Sequence, residues 1–172
     1  EEEAQKEHPE KLRYVLRDLA AESGAFAYEY TGYLANIHSV ETYYQANIDM
    51  LDLHKFYSLF SPNQKIHTKV KNEEPTYYAP GCEVNTSQFA SGSIVEGKVV
   101  RSVVSRNVQI HKDSLVKESI VFPRVVIGEG AQVEYAIIDK GAEVADGVVI
   151  RGTAENPVVI KKGEKVTEDI LS

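Results

Sequence analysis

Between residues 99 and 150 the apolar side chains recur at intervals that suit neither a helix nor an ordinary strand. Val104, Ile110, Val116, Val121, Ile127, Val133, Ile138, Val144 and Ile150 are aliphatic, and the steps between them run 6, 6, 5, 6, 6, 5, 6, 6, which makes 17 per three sites. Val104, Val121 and Ile138 therefore stand 17 apart, as do Ile110, Ile127 and Val144, and Val99, Val116, Val133 and Ile150. A chain that turns a corner every five or six residues, with one aliphatic side chain pointing inward on each side, builds a triangular prism. This pattern predicts a parallel β-helix of the hexapeptide type. Each coil hydrogen-bonds to the next, so the backbone is satisfied by stacking. Burying one Val or Ile is worth roughly 1.5 to 3 kcal/mol, so nine in register form a substantial core. Gly128, Gly130, Gly141 and Gly147 lie between the aliphatic sites, where corners call for permissive backbone angles.

The first sixty residues follow another pattern. In "PEKLRYVLRDLAAESG", Pro9 suits a first helical turn, Leu12, Val15, Leu16 and Leu19 recur at three- and four-residue steps, and Gly24 ends the run. These features predict an amphipathic helix. "AFAYEYTGYLANI" is aromatic and β-favouring and predicts strand and turn. Ser39 then caps a helix through "VETYYQANIDMLDLHKFYSLF", with Tyr44, Ile48 and Leu51 as its buried stripe and Ser61-Pro62 as its end. Residues 61–93 carry Pro, Gly, Asn and Ser at short intervals without a sustained period, which predicts a crossover with short strands. The expected organisation is thus 1–60, a crossover at 61–93, and a prism over 94–172.

Composition narrows the function. A chain of 172 residues with 42% hydrophobic and 26% charged residues reads as a soluble globular protein, and no apolar run suggests a membrane helix or signal. A cytoplasmic setting is the expectation. Cys82 is the single cysteine, so no internal disulfide forms, and the five histidines show no zinc spacing. The net charge of -7 argues against nucleic acid. The chain opens "EEEAQKEHPEK" without methionine, as expected for a piece of a longer protein.

The order of parts is a second signal: a helix, "YEYTGYLANIHSVETYYQANIDML", an irregular crossover, and a prism containing "SVVSRNVQI", "ESIVFPRVVIGEGAQVEYAIIDKGAEV" and "ADGVVI". It resembles the C-terminal part of glucose-1-phosphate adenylyltransferase, the ADP-glucose pyrophosphorylase of glycogen and starch synthesis, over nearly the whole chain. The resemblance implies a mainly β fold, a left-handed parallel β-helix preceded by an α/β remnant of a nucleotidyltransferase domain. It also implies a catalytic half carrying a glycine-rich nucleotide loop, which has no counterpart here. Mg2+ is expected for the family's full-length enzyme and no cofactor for this chain.

The departures from that family are concentrated in "GYLANIHS". Where the family reads Gly-Tyr-Trp, a variable residue, then Asp-Val-Gly-Thr, this chain has Leu34 for the tryptophan, Asn36 for the metal-holding aspartate and His38 for the glycine. Asn lacks the formal charge that a hard cation takes from carboxylates. Glu29, Gly32, Tyr33 and Asn36 are then remnants of a sugar-phosphate pocket, and the chain resembles the regulatory, GlgD-type paralogue found beside the true enzyme. The partners implied are the catalytic subunit or a second copy, joined through the β-helix. Against this stand a harmless drift of Asn36 in an active enzyme and Asn36 as a simple turn residue.

By the same resemblance, Lys140 in "AIIDKGAEV" and Lys161 in "PVVIKKGEKV" are candidates for binding an anionic effector, a phosphorylated metabolite. The bland alternative is two solvated lysines at prism corners. His111 in "QIHKDS" raises a hexapeptide acyltransferase with a histidine base, although the regular spacing leaves no room for the extended loop such a cleft needs.

Overall fold

The computed structural model describes residues 12–26, 28–61, 66–67 and 72–172, the side chain of Arg13 apart. It divides into a first unit ending at Gly32 and a second, Tyr33–Ser172. The expected position of Pro9, and that of Pro62, lie outside the described residues.

In the first unit, helix α1 spans Leu12–Ser23 and stops where Gly24 takes φ +65°. Leu12, Leu16 and Leu19 on its apolar stripe are exposed. The strand expected around residues 25–38 does not form: the described part of that stretch has no regular structure. β-favouring side chains need a neighbouring strand to pair with, and every strand described here belongs to the prism.

Seventeen short strands build that prism, in three parallel sheets of six, six and five strands. Face A stacks Tyr77–Tyr78, Ile94–Val95, Gln109–Ile110, Val126–Ile127, Glu143–Val144 and Lys165–Val166. Face B stacks Glu83–Asn85, Lys98–Val100, Leu115–Lys117, Gln132–Glu134, Val149–Arg151 and Ile170–Leu171, and face C stacks Gln88–Phe89, Val103–Val104, Ile120–Val121, Ala136–Ile138 and Val158–Ile160. The 17-residue register expected from the spacing is the observed one: Val104 pairs with Val121, Ile110 with Ile127, and Val116 with Val133. All nine aliphatic residues of the repeat are buried, none more than 2% exposed.

Outside the middle coils the register changes. Val95 pairs with Ile110, 15 residues on, because the corner between Val95 and Lys98 is cut to Glu96 and Gly97. A Cβ on Gly97 would lie 2.7 Å from the carbonyl oxygens of His111 and Ser114, so the shortened corner requires glycine. At the other end Ile138 pairs with Ile160, 22 residues on, because residues 152–157 bulge from the corner after Arg151. The prism also begins at Tyr77, within the stretch expected as crossover.

Each corner places one residue per coil in the left-handed region. Gly92, Asn107, Arg124, Gly141 and Gly163 form one such row, and Asp113, Gly130 and Gly147 another. Gly128 departs from expectation: it has no positive φ, and its role is close approach, since a Cβ there would lie 2.6 Å from the Asp146 nitrogen. At the B-to-C corner a serine ladder satisfies the buried backbone. Ser87, Ser102 and Ser119 each accept the amide one coil further on, from Ser102, Ser119 and Ala136, at 3.1 Å.

Two helices of the second unit complete the fold. Ser39 and Thr42 form a reciprocal capping box that starts α2, Val40–Ile48. The single helix expected through residue 60 is broken: a 3-10 turn, Asp49–Leu51, follows, and α3 is Leu53–Leu59. Asp52 causes the break, because it adopts an extended backbone and its carboxylate caps the amides of His54 and Lys55. Leu51 is consequently only half-buried, whereas Tyr44 and Ile48 pack on Ile120 and Ile137 of face C.

Candidate functional site

The segment Tyr33–His38 is fastened to the helices by a partly buried carboxylate. Asp49 lies where α2 ends, its side chain only 15% exposed. Its Oδ2 accepts the Tyr33 hydroxyl at 3.1 Å, and its Oδ1 accepts Gln45 Nε2 at 2.9 Å and the Lys55 ammonium at 2.6 Å. Burial alone would raise the Asp49 pKa; hydrogen bonds from Lys55, Gln45 and Tyr33 outweigh it and hold the carboxyl below its ordinary value. Burial, then the bond to Asp49, pushes the Tyr33 phenol up. Tyr33 N–H also donates to Ser58 Oγ at 3.0 Å, so both ends of the residue are held.

Beside this latch is an open, mostly apolar cavity of about 370 Å³, lined by Tyr33, Leu34, Ile37, Met50 and Phe60 among others. Asn36 does not line it and is exposed, and its carbonyl contacts His38 Nδ1 at 3.1 Å. The donor set does not fit Mg2+. Asn36 brings no charge, Asp49 has both oxygens engaged by Tyr33, Gln45 and Lys55, and among the described residues no three metal-ligating side chains converge. Glu29 is exposed, and it belongs with Gly32 to the first unit, whereas Tyr33 and Asn36 belong to the second.

The second unit ties α2 to the prism directly. The buried Tyr44 hydroxyl donates to the Glu118 carbonyl at 2.7 Å, and Gln88 Nε2 donates to the Met50 carbonyl at 2.6 Å. Burial chiefly, then the Glu118 charge, raises the Tyr44 pKa, which keeps the phenol a donor.

Lys140 and Lys161 stand on consecutive coils of one corner, between faces C and A. Asp139 N–H donates to the Ile160 carbonyl at 3.0 Å, and Gly163 N–H to the Lys140 carbonyl at 3.1 Å. The same corner carries Arg106, Arg124 and Lys162, which sequence reasoning missed. Two carboxylates share it: Asp139 accepts the Lys140 amide at 2.6 Å and Glu164 the Lys161 amide at 2.8 Å. His111 occupies the opposite edge of face A, its Nδ1 3.4 Å from Glu96, at a four-residue corner with no extended loop.

Coil register and buried columns settle the kind of protein. A family model described as GlmU-like, C-terminal hexapeptide, matches residues 70–169, more than half of the chain. The chain belongs to that family. The GlmU-like hexapeptide segment covers the prism and its entry, and relatives extend the similarity to the helices. The glycogen biosynthesis protein GlgD of Bacillus subtilis (strain 168) is 36% identical over 160 residues, 91% of this chain and 47% of the relative. The glucose-1-phosphate adenylyltransferase of Corynebacterium jeikeium (strain K411) is 32% identical over 137 residues, 77% of this chain and 34% of the relative. That of Bacillus mycoides (strain KBAB4) is 31% identical over 140 residues, 80% and 37%. The chain thus spans between a third and a half of the curated relatives it matches.

Proposed function

We propose that this chain is the assembly-directing and regulatory portion of an ADP-glucose pyrophosphorylase subunit in glycogen synthesis, which works beside a catalytic subunit rather than carrying out the chemistry itself. The observation that carries this reading is the donor set around Asn36. The position that resemblance assigns to a metal-binding aspartate is an uncharged, exposed amide, and the nearby carboxylate of Asp49 is spent on holding Tyr33. The likeness to GlgD across 91% of the chain supports it. Among the described residues no helix is long and apolar enough to cross a membrane, in keeping with work in the cytoplasm.

In this reading the tyrosine latch and α2 keep the remnant of the sugar-phosphate pocket in place. The corner bearing Lys140 and Lys161 takes an anionic, phosphorylated effector, bound mainly by charge. Purified alone with ATP, glucose 1-phosphate and Mg2+, the parent subunit should form no ADP-glucose, while added catalytic subunit should restore turnover. Turnover at an ordinary enzyme rate by the lone subunit would overturn the proposal in favour of an active adenylyltransferase. Lys140→Ala with Lys161→Ala should weaken the effector response of the mixed assembly, and an unchanged activation curve would remove the effector site.

A further inference from the structure

The two corners that bound face A carry opposite charge. The corner entering it from face C bears Arg106, Arg124, Lys140, Lys161 and Lys162 against Asp139 and Glu164. The corner leaving it for face B bears Glu96, Asp113, Glu129, Asp146, Glu168 and Asp169 against Lys112. On the first row Arg106 also reaches Glu73 at 3.6 Å. We propose that face A is a self-association surface, on which two copies of this chain pair about a two-fold axis parallel to the prism.

The symmetry follows from where the charges lie. Rotation about an axis parallel to the prism exchanges the two edges, so each basic corner meets the acidic corner of the other copy. Both rows repeat once per coil, about 4.8 Å apart, so the charges match coil by coil. A two-fold axis running across the face instead would set basic row on basic row and acidic on acidic. Charge therefore selects the parallel arrangement, in which both edges are satisfied at once and the contact closes as an isologous dimer.

The strip between the edges suits contact. Its outward residues in the first two coils are Tyr77 and Ile94, 58% and 43% exposed, followed by Gln109 and the half-buried Val126. At the far end Glu143 and Lys165 neutralise one another at 2.8 Å. Face C has no such vacancy, since α2 packs on it. Six coils by one side of the triangle give about 500 Å² per copy, near the lower limit for a specific interface, so the dimer is reversible. The net charge of -7 opposes it at long range, but salt screens that repulsion beyond about 8–10 Å, whereas the matched rows act at contact.

Sedimentation velocity of the chain over a range of concentrations, at low and at high NaCl, tests this. The expected result is a monomer–dimer equilibrium that weakens with salt. Arg124→Glu with Lys162→Glu, and separately Glu129→Lys with Glu168→Lys, should each weaken it about tenfold or more, while an equimolar mixture of the two variants recovers a dimer. Ile94→Asp, exposed on the strip, probes the surface without touching either corner and should also give monomer. Melting at the wild-type temperature shows that each variant is folded. A wild-type monomer at low salt, a dimer that survives the reversals or Ile94→Asp, or a mixture that stays monomeric would each overturn the proposal. Any of these results leaves the regulatory reading standing, because that reading does not depend on face A.

Discussion

The middle coils, residues 99–151, and the segment from Gly24 to Ser61 are stabilised in different ways. In the coils every inward side chain has the same environment as the one 17 residues on, so one rule repeats and its errors would repeat too. In the helical segment each contact is unique: one tyrosine against one strand, one carboxylate against three donors. Periodic regions distribute stability over many equal contacts, whereas the aperiodic region hangs on a few. Local damage should therefore spread in the first and stay confined in the second.

The sharpest way to break that contrast is Ile127→Asp. Ile127 is 0% exposed and stacked between Ile110 and Val144, so an unpaired carboxylate there should cost about 4 kcal/mol or more and unfold the prism. Loss of the far-UV β signal is the readout, and unchanged melting would mean that the register is wrong. Tyr44→Ala comes next. Removing a buried aromatic that also donates to the Glu118 carbonyl should cost about 3–5 kcal/mol, but should free α2 while leaving the coils in place. Hydrogen exchange would then show rapid exchange in α2 with the coil amides still protected. If the coil amides lose protection equally, the two regions form one cooperative unit.

Much of the first region was legible in the sequence, because its structure is its period. The nine aliphatic positions predicted the strands, faces and register that hold from Val99 to Ile150. The same 17-residue rule, applied to charge, would have found Arg106 and Arg124 beside Lys140. Where the period slips, at Gly97 and in the loop 152–157, a scan for aliphatic residues cannot follow. In the second region the capping serine was legible, since Ser39 acts within one turn of its own helix. The break at Asp52 was not: an aspartate inside an apolar helical pattern reads equally as a surface residue. Nor was the Tyr33–Asp49 bond, which joins residues 16 apart without any repeat to announce it.

Gly128→Ala sharpens the comparison at smaller amplitude. The new methyl would meet the Asp146 backbone nitrogen at 2.6 Å in the adjoining coil, where stacking fixes the backbone, and should cost about 1–3 kcal/mol. Because neighbouring coils share the strain, the whole prism should melt at a lower temperature in one transition. A normal melting temperature would show that the corner can yield.

The smallest effect expected lies in the latch and depends on pH. Asp49 is held below its ordinary pKa of 3.8, so in the folded chain it stays ionised to lower pH than when unfolded. Its contribution is thus fully present above 3.8 and is lost as pH falls through the lowered folded value. Asp49→Asn removes the charge facing Lys55 and should cost on the order of 1 kcal/mol near neutrality. The difference in melting between wild type and this variant should therefore be constant from neutral pH down to about 5 and shrink on further acidification. A gap that persists unchanged to the lowest pH at which the chain folds would show that Asp49 holds Tyr33 by shape rather than by charge. The aperiodic region would then owe its order to packing, as the coils do.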